Sequence, residues 1–130
     1  MKLKPVQKFN PQDAGGDRKF YAQAVATGKI DLKRLAYLVS NQSSVREGDC
    51  YAVILSMVHN IMDELKQGKI VKLDRLGSFQ LSVSSEGVPT KDQVTGNLVK
   101  DIRINFRPDE DMKGTLNTKT VKFTISDSLI

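Results

Sequence analysis

The sequence predicts an α+β fold: a helical hairpin packed on an antiparallel sheet, a two-stranded ribbon projecting from that sheet, and extra strands at both ends. Three observations predict it. Apolar residues recur at a helical period over two neighbouring segments, residues 32–41 and 47–66. From Lys69 onward the apolar period drops to two. A polar stretch, residues 85–99 with Gly87, Pro89 and Gly96, then separates two alternating segments, the pattern of a ribbon with a protruding tip.

Residues 1–17 hold Pro5, Pro11, Gly15 and Gly16 with Asn10, Asp13 and Asp17 between them, which predicts an extended arm followed by a turn. Residues 18–27 alternate loosely up to Gly28; this favours a strand, although the alanines also suit a helix. Asp31 stands at an N-cap, where its carboxylate can accept from the open amides of a first turn. Leu32, Leu35, Ala36 and Val39 then form one apolar stripe, ending near Asn41. Ser44-Val45-Arg46-Glu47 has the S-x-x-E spacing of a capping box and predicts the start of a second helix. That helix carries Cys50, Val53, Ile54, Met57, Val58, Ile61 and Leu65 on one face and stops at Gly68, a natural residue just past a helix end.

Beyond it, Val71 and Leu73 alternate with Lys72 and Asp74, and after Leu76-Gly77 the residues Phe79, Leu81 and Val83 alternate with Ser78, Gln80, Ser82 and Ser84. Ile102, Ile104 and Phe106 alternate with Arg103, Asn105 and Arg107 on the return. Pro108, tolerated in a first turn, opens a short helix to about Leu116, with Asp109, Glu110 and Asp111 suited to its positive end. Val121, Phe123 and Ile125 predict a last strand.

The chain has 130 residues, 39% of them hydrophobic and 27% charged, enough for one domain with its own core and no need of staples. A single cysteine, Cys50, excludes an internal disulfide and fits a reducing compartment. No apolar run reaches the length of a membrane span, and no apolar segment follows the charged N-terminal residues as in a secretory signal, so a cytoplasmic location is expected. The net charge of +5 favours a polyanion partner weakly, and its distribution says more. Residues 1–35 sum to +5, 36–68 to −2, 69–107 to +3 and 108–130 to −1, leaving the central helical stretch acidic.

Catalysis has little to stand on, and an enzyme is not expected. The chain holds no nucleophile elbow, no phosphate-cradling glycine loop and no metal-ligand spacing, so neither cofactor nor metal is expected. Asp13-Gly15-Gly16 is a turn, and no long helix follows it directly. His59 has no second ligand at suitable spacing and reads as a structural or surface histidine. Cys50 lies on the apolar stripe and reads as core.

Taken in order, the helical hairpin, S44-V-R-E47, V71-K-L-D-R-L-G-S-F79, the arm, I102-R-I-N-F-R-P108 and the closing Met112-Lys113 resemble the bacterial histone-like DNA-binding family, HU and integration host factor. The resemblance covers about residues 31–116, leaving an N-terminal strand extension (1–30) and a C-terminal strand (117–130) like those of extended HU-related variants. These extra strands are expected to pair with each other or with the sheet. The resemblance implies an intertwined homodimer, and the helix from Glu47 to Lys66 gives a physical reason for it, since its apolar ridge is larger than one copy readily covers. Gly77 is expected to allow a bend where a Cβ would obstruct, with Phe79 dropping into the core. The implied function is architectural: a nucleoid-associated protein whose two arms engage duplex DNA in the minor groove with little base specificity and can thereby bend it, through deformability and phosphate contacts.

The residues this assigns to DNA are Lys72, Arg75, Lys91, Lys100, Arg103, Arg107 and Lys113, with Lys69 beside them. Alternation of Lys and Ser equally describes a solvated strand face. The cluster Lys2, Lys4, Lys8, Arg18 and Lys19 reads either as a second nucleic-acid arm or as solubilising charge. Typical members carry a tip proline that wedges between bases. Here, aligning Thr95-Gly96 with the family's tip puts Gln93 or Val94 near that place, and Pro89 falls earlier; Pro89 and Val94 are the wedge candidates, against plain turn and loop residues. The arm between Ser84 and Arg103 carries Lys91, Lys100 and Arg103 against Glu86, Asp92 and Asp101, whereas a phosphate-wrapping arm should be positive. Glu110 stands where a basic residue is usual. The competing reading is an HU-like scaffold or protein-interaction module with weak or lost DNA binding. Neither reading calls for a membrane or a small-molecule substrate.

Overall fold

A computed structural model of the protein describes residues 1–9, 12, 15, 16 and 18–126. Asn10, Pro11, Asp13 and Asp17 of the expected turn lie outside the described residues, as do residues 127–130 of the expected last strand. The elements in chain order are β1 (Lys2–Lys8), β2 (Lys19–Val25), α1 (Leu32–Asn41), α2 (Glu47–Lys66), β3 (Val71–Leu73), β4 (Gly77–Ser85), β5 (Val99–Pro108), α3 (Glu110–Thr115) and β6 (Thr124–Ile125). They form an α+β structure of two compact units, one from residues 32–115 and one from residues 1–31 with 116–130. No helix among the described residues is long and apolar enough to cross a membrane.

In the larger unit α1 and α2 pack on each other, and α2 lies against β3 and β4. Ala36 of α1 and Cys50 of α2 are buried, with Leu65 buried near the end of α2. The start of α2 differs from the capping-box expectation. The N-cap is Arg46, in extended conformation and without a side-chain cap, so Ser44 lies two residues too early and Glu47 is the first helical residue. The Ser43 hydroxyl instead accepts from the Val45 amide at 3.3 Å, a local turn that uses up the polar loop before the helix begins. Glu47 and Asp49 still place negative charge in the first turn.

The end of α2 follows the sequence closely. Gly68 sits at φ 86, its N–H donates to Leu65 at 3.0 Å, and the Lys69 N–H reaches Glu64 at 3.3 Å. Those two bonds are a Schellman motif, in which a left-handed glycine closes the last helical turn.

The sheet of this unit runs β3-β4-β5, antiparallel throughout. Directly opposed residues share a face, so Val71, Phe79 and Phe106 form one row, followed by Leu81 with Ile104 and Val83 with Ile102. The Phe79 and Phe106 rings stand 4.9 Å apart, tilted by 40°. Pro108 closes β5 and does not open α3, which starts at Glu110. Because β5 is an edge strand, its last residue needs no N–H for a further neighbour. The Asp109 backbone carbonyl accepts from Lys113 at 3.0 Å and so starts α3.

In the smaller unit the terminal strands pair with each other. Its sheet is ordered β2-β1-β6, with β1 antiparallel to β2 and parallel to β6. Leu3 turns its backbone toward β6, accepting from Ser126 at 2.9 Å. Pro5, two residues on, faces the same side beyond the end of β6, so its missing N–H leaves no ladder bond unmade.

Candidate nucleic-acid interface

The polar face of β3-β4-β5 follows from the register. Lys72 stands opposite Ser78, which stands opposite Arg107, giving one row across three strands. Gln80 with Asn105, Ser82 with Arg103, and Ser84 with Asp101 extend the face along the ribbon. Arg103 and Arg107 therefore share this face at alternate cross-strand steps and are exposed. A hollow of about 330 Å³ opens beside the first row, lined by Ile70, Ser78, Gln80, Asn105, Phe106 and Arg107.

The other basic residues are dispersed. Lys100 is the extra residue of a β-bulge: Ser84 pairs with Asp101 and Ser85 with Val99. Lying three residues before Arg103, it is off the alternation that aligns Arg103 with Arg107, and the bulge takes it out of the ladder as well. Lys91 lies in the first of two single 3₁₀ turns, Lys91–Gln93 and Gly96–Leu98, that replace an extended tip. Pro89 precedes those turns and Val94 joins them, both beyond the last ladder pair, with Val94 exposed. Arg75 occupies the turn between β3 and β4 at φ 73, a left-handed conformation unusual for a side chain of its size.

Three of these cations already face a carboxylate. Lys72 lies 4.0 Å from Asp74, Arg75 lies 3.6 Å from Asp111, and Lys113 lies 3.8 Å from Glu110. Lys69 is bound to Glu64 at 2.7 Å beside the helix end. All four pairs are exposed and individually weak. Asn105 and Ser82, which the sequence did not single out, hydrogen-bond at 2.9 Å on the face that carries both arginines. The signal for them was the same alternation that marked Arg103 and Arg107.

Gly77 and Phe79 shape the root of the ribbon. A Cβ on Gly77 would meet the Arg107 carbonyl oxygen and, at 2.6 Å, Phe106 Cε2. The close approach of β5 demands the glycine, and its backbone is not left-handed. Phe79 is half-buried. His59 is exposed on α2, and the buried Cys50 thiol points to the Val45 carbonyl at 3.8 Å. Among the described residues no group of three or more His, Cys, Asp or Glu side chains gathers.

Much of the apolar surface of this unit lies open. Val53 is 67% exposed and Met57 46%, and a hollow lined by Ala52, Val53, Met57, Ile61 and Val71 among others runs along α2. On the ribbon, Ile104 is 74% exposed.

A helical hairpin on a three-stranded antiparallel sheet, a basic-faced ribbon and a short closing helix define an HU-type module. The family model described as an HU domain fused to wHTH, Ig, or glycine-rich motif, HU-HIG, matches residues 1–123, and the chain belongs to that family. The fold is similar to a putative bacterial DNA-binding protein from Bacteroides vulgatus, with TM-score 0.61 and 17% identity, over 95% of this chain and 47% of that one. The chain thus spans about half the length of that relative. It is also similar to Anabaena HU in a co-crystal with DNA, with TM-score 0.52 and 16% identity, over 66% of this chain and 96% of that one. No curated protein matches the chain.

Proposed function

We propose that the protein is an architectural, nucleoid-associated DNA-binding module, acting as a homodimer and engaging duplex DNA largely without reading its sequence. One HU-like domain, residues 31–116, would do this, flanked by strand extensions 1–30 and 117–130. The observation that carries the reading is the pair Arg103 and Arg107, aligned on the polar face of the ribbon and free of ion pairs among the described residues. Guanidinium groups so placed donate to phosphate oxygens, which fix a protein on a duplex without selecting bases. Family membership and the likeness to a HU fold co-crystallised with DNA support the same reading. The uncovered ridge of α2 supports the dimer, because a second copy would take Val53 and Met57 out of water. The role is architectural, without catalysis, cofactor, membrane or small-molecule substrate.

One observation favours a second reading, an HU-like scaffold with weak DNA binding. Residues 32–115 carry twelve Lys and Arg against eleven Asp and Glu, so the HU-type unit is nearly neutral. A salt series on duplex DNA separates the two. Architectural binding falls steeply between about 50 and 200 mM salt, because several phosphates release counterions. Absence of binding at the low end would leave the scaffold reading.

A further inference from the structure

The net charge of +5 is distributed unevenly between the two units. Residues 1–31 with 116–130 carry eight Lys and Arg against four Asp and Glu, a net of +4, while residues 32–115 contribute +1. The positive charge therefore sits mainly on the sheet that is extra to the HU-type core.

The register sorts that charge further. One face of the sheet carries Lys8 opposite Lys19, Val6 opposite Tyr21, Lys4 opposite Gln23, and Lys2 between Val25 and Thr124. The other carries Gln7 with Phe20, Pro5 with Ala22, and Leu3 between Ala24 and Ile125, with no charge at all. Every lysine of the three strands is on the first face, no acidic residue occupies the strands, and each row offers at least one hydrogen-bond donor. Lys8 and Lys19 stand directly opposed, a like-charge pair that weakens a sheet. Neither has an ion-pair partner among the described residues. Folding alone gives no reason for that arrangement, whereas a bound polyanion would neutralise the pair.

We propose that the Lys2, Lys4, Lys8 and Lys19 face of the β2-β1-β6 sheet is a second docking surface, for the phosphate backbone of duplex DNA, additional to the ribbon. Successive same-face lysines at Lys2 and Lys4 lie about 6.7 Å apart along the strand, and Lys8 continues the line, so the face tracks a run of charges and does not cradle a single ion. Ammonium groups on flexible stems, with the Tyr21 hydroxyl and the Gln23 amide beside them, supply contacts that position a duplex without reading it. The choice of DNA as the polyanion rests on the function proposed above.

The experiment measures duplex affinity across a salt series for the full chain and three variants. These are a sheet variant (K2Q, K4Q, K8Q, K19Q), a double variant (K8Q, K19Q) that relieves the opposed pair and so leaves folding undisturbed, and a ribbon variant (R103A, R107A). The sheet variant is expected to flatten the slope of log affinity against log salt by about 2 to 4, and the double variant by about 1 to 2, at roughly 0.9 per phosphate contact. Arginine at the same four positions is expected to restore the slope. Unchanged slopes in the sheet and double variants, with the ribbon variant impaired, would overturn the second surface and leave the ribbon reading standing. Loss confined to the sheet variants would do the reverse. Absence of duplex binding by the unmodified chain would overturn both, as would, for this face, loss of binding to anionic lipid vesicles with DNA binding intact.

Discussion

Gly77 and Phe106 are in contact across the ribbon root: a β-carbon on the glycine would fall 2.6 Å from Phe106 Cε2 and 2.8 Å from Cζ. The backbone carbonyl of Arg107 closes the same space, so rotation of the Phe106 ring cannot make room. Gly77→Ala must therefore push β4 and β5 apart where Phe79 and Phe106 face each other. Overpacking of this kind costs about 1–3 kcal/mol, and the rigid carbonyl puts this site at the upper end. Urea unfolding of the alanine variant is expected to show an unfolding free energy lowered by that amount, read as a lower midpoint at unchanged slope; an unshifted midpoint would mean that the strands separate without strain.

Gly68 is a different case, because open space surrounds it and only its φ of 86 is demanding. Gly68→Ala is expected to cost about 1–2 kcal/mol, the penalty of a Cβ in left-handed conformation. Gly68→Asn should lose less, since asparagine tolerates that region. Thermal melts of the two variants, ranked glycine, asparagine, alanine, check the order.

The proposed dimer has its own signature. Val53 and Met57 are open in one copy, and carboxylates there should stay solvated in a monomer but be costly in a closed interface. Val53→Asp with Met57→Asp is expected to abolish dimers in sedimentation and to lower the melting temperature, since the remaining core is small. A pair of aspartates that leaves both the mass and the melt unchanged would show that this ridge faces water in the working protein.

These positions also show what the sequence carries and what it does not. Helical and strand periods are local, and they specified α1, α2, β4 and β5, the Gly68 stop and the faces on which Arg103 and Arg107 lie. Ser44 misled because a capping box needs the serine at the last extended residue, and that place falls to Arg46. Pro108 misled because proline suits the end of an edge strand as well as the start of a helix. The β-bulge at Lys100 left no local trace, although the alternation by itself already sets Lys100 off the face that carries the arginines. The joining of β1 to β6 pairs the two ends of the chain, and no period within either segment encodes that partner.

On the ribbon, the cations should divide by their present partners. Arg103 and Arg107 have none among the described residues, while Arg75 and Lys113 lie 3.6 Å and 3.8 Å from carboxylates. A cation already near a carboxylate releases less counterion when it meets a phosphate. Arg103→Ala and Arg107→Ala are each expected to flatten the salt slope of duplex binding by about 0.9, and Arg75→Ala and Lys113→Ala by clearly less. Equal effects at all four positions would show that the exposed pairs do not shape the interface.

The arm tip separates binding from bending. Val94 is 65% exposed in the loop between the 3₁₀ turns, an apolar side chain without cover, and Pro89 stands before those turns. An apolar wedge acts by unstacking a base step and releases no counterions, so its removal should change the shape of the DNA and leave the salt slope alone. With fluorophores at both ends of a short duplex, Val94→Ser is expected to lower end-to-end transfer at saturation, and Pro89→Ala to lower it if the loop brings both residues to the tip. Transfer unchanged when Val94→Ser and Pro89→Ala are combined would mean that the arm grips the duplex without entering the stack. A reduced salt slope in Val94→Ser would place the residue among the groups that organise the phosphate contacts.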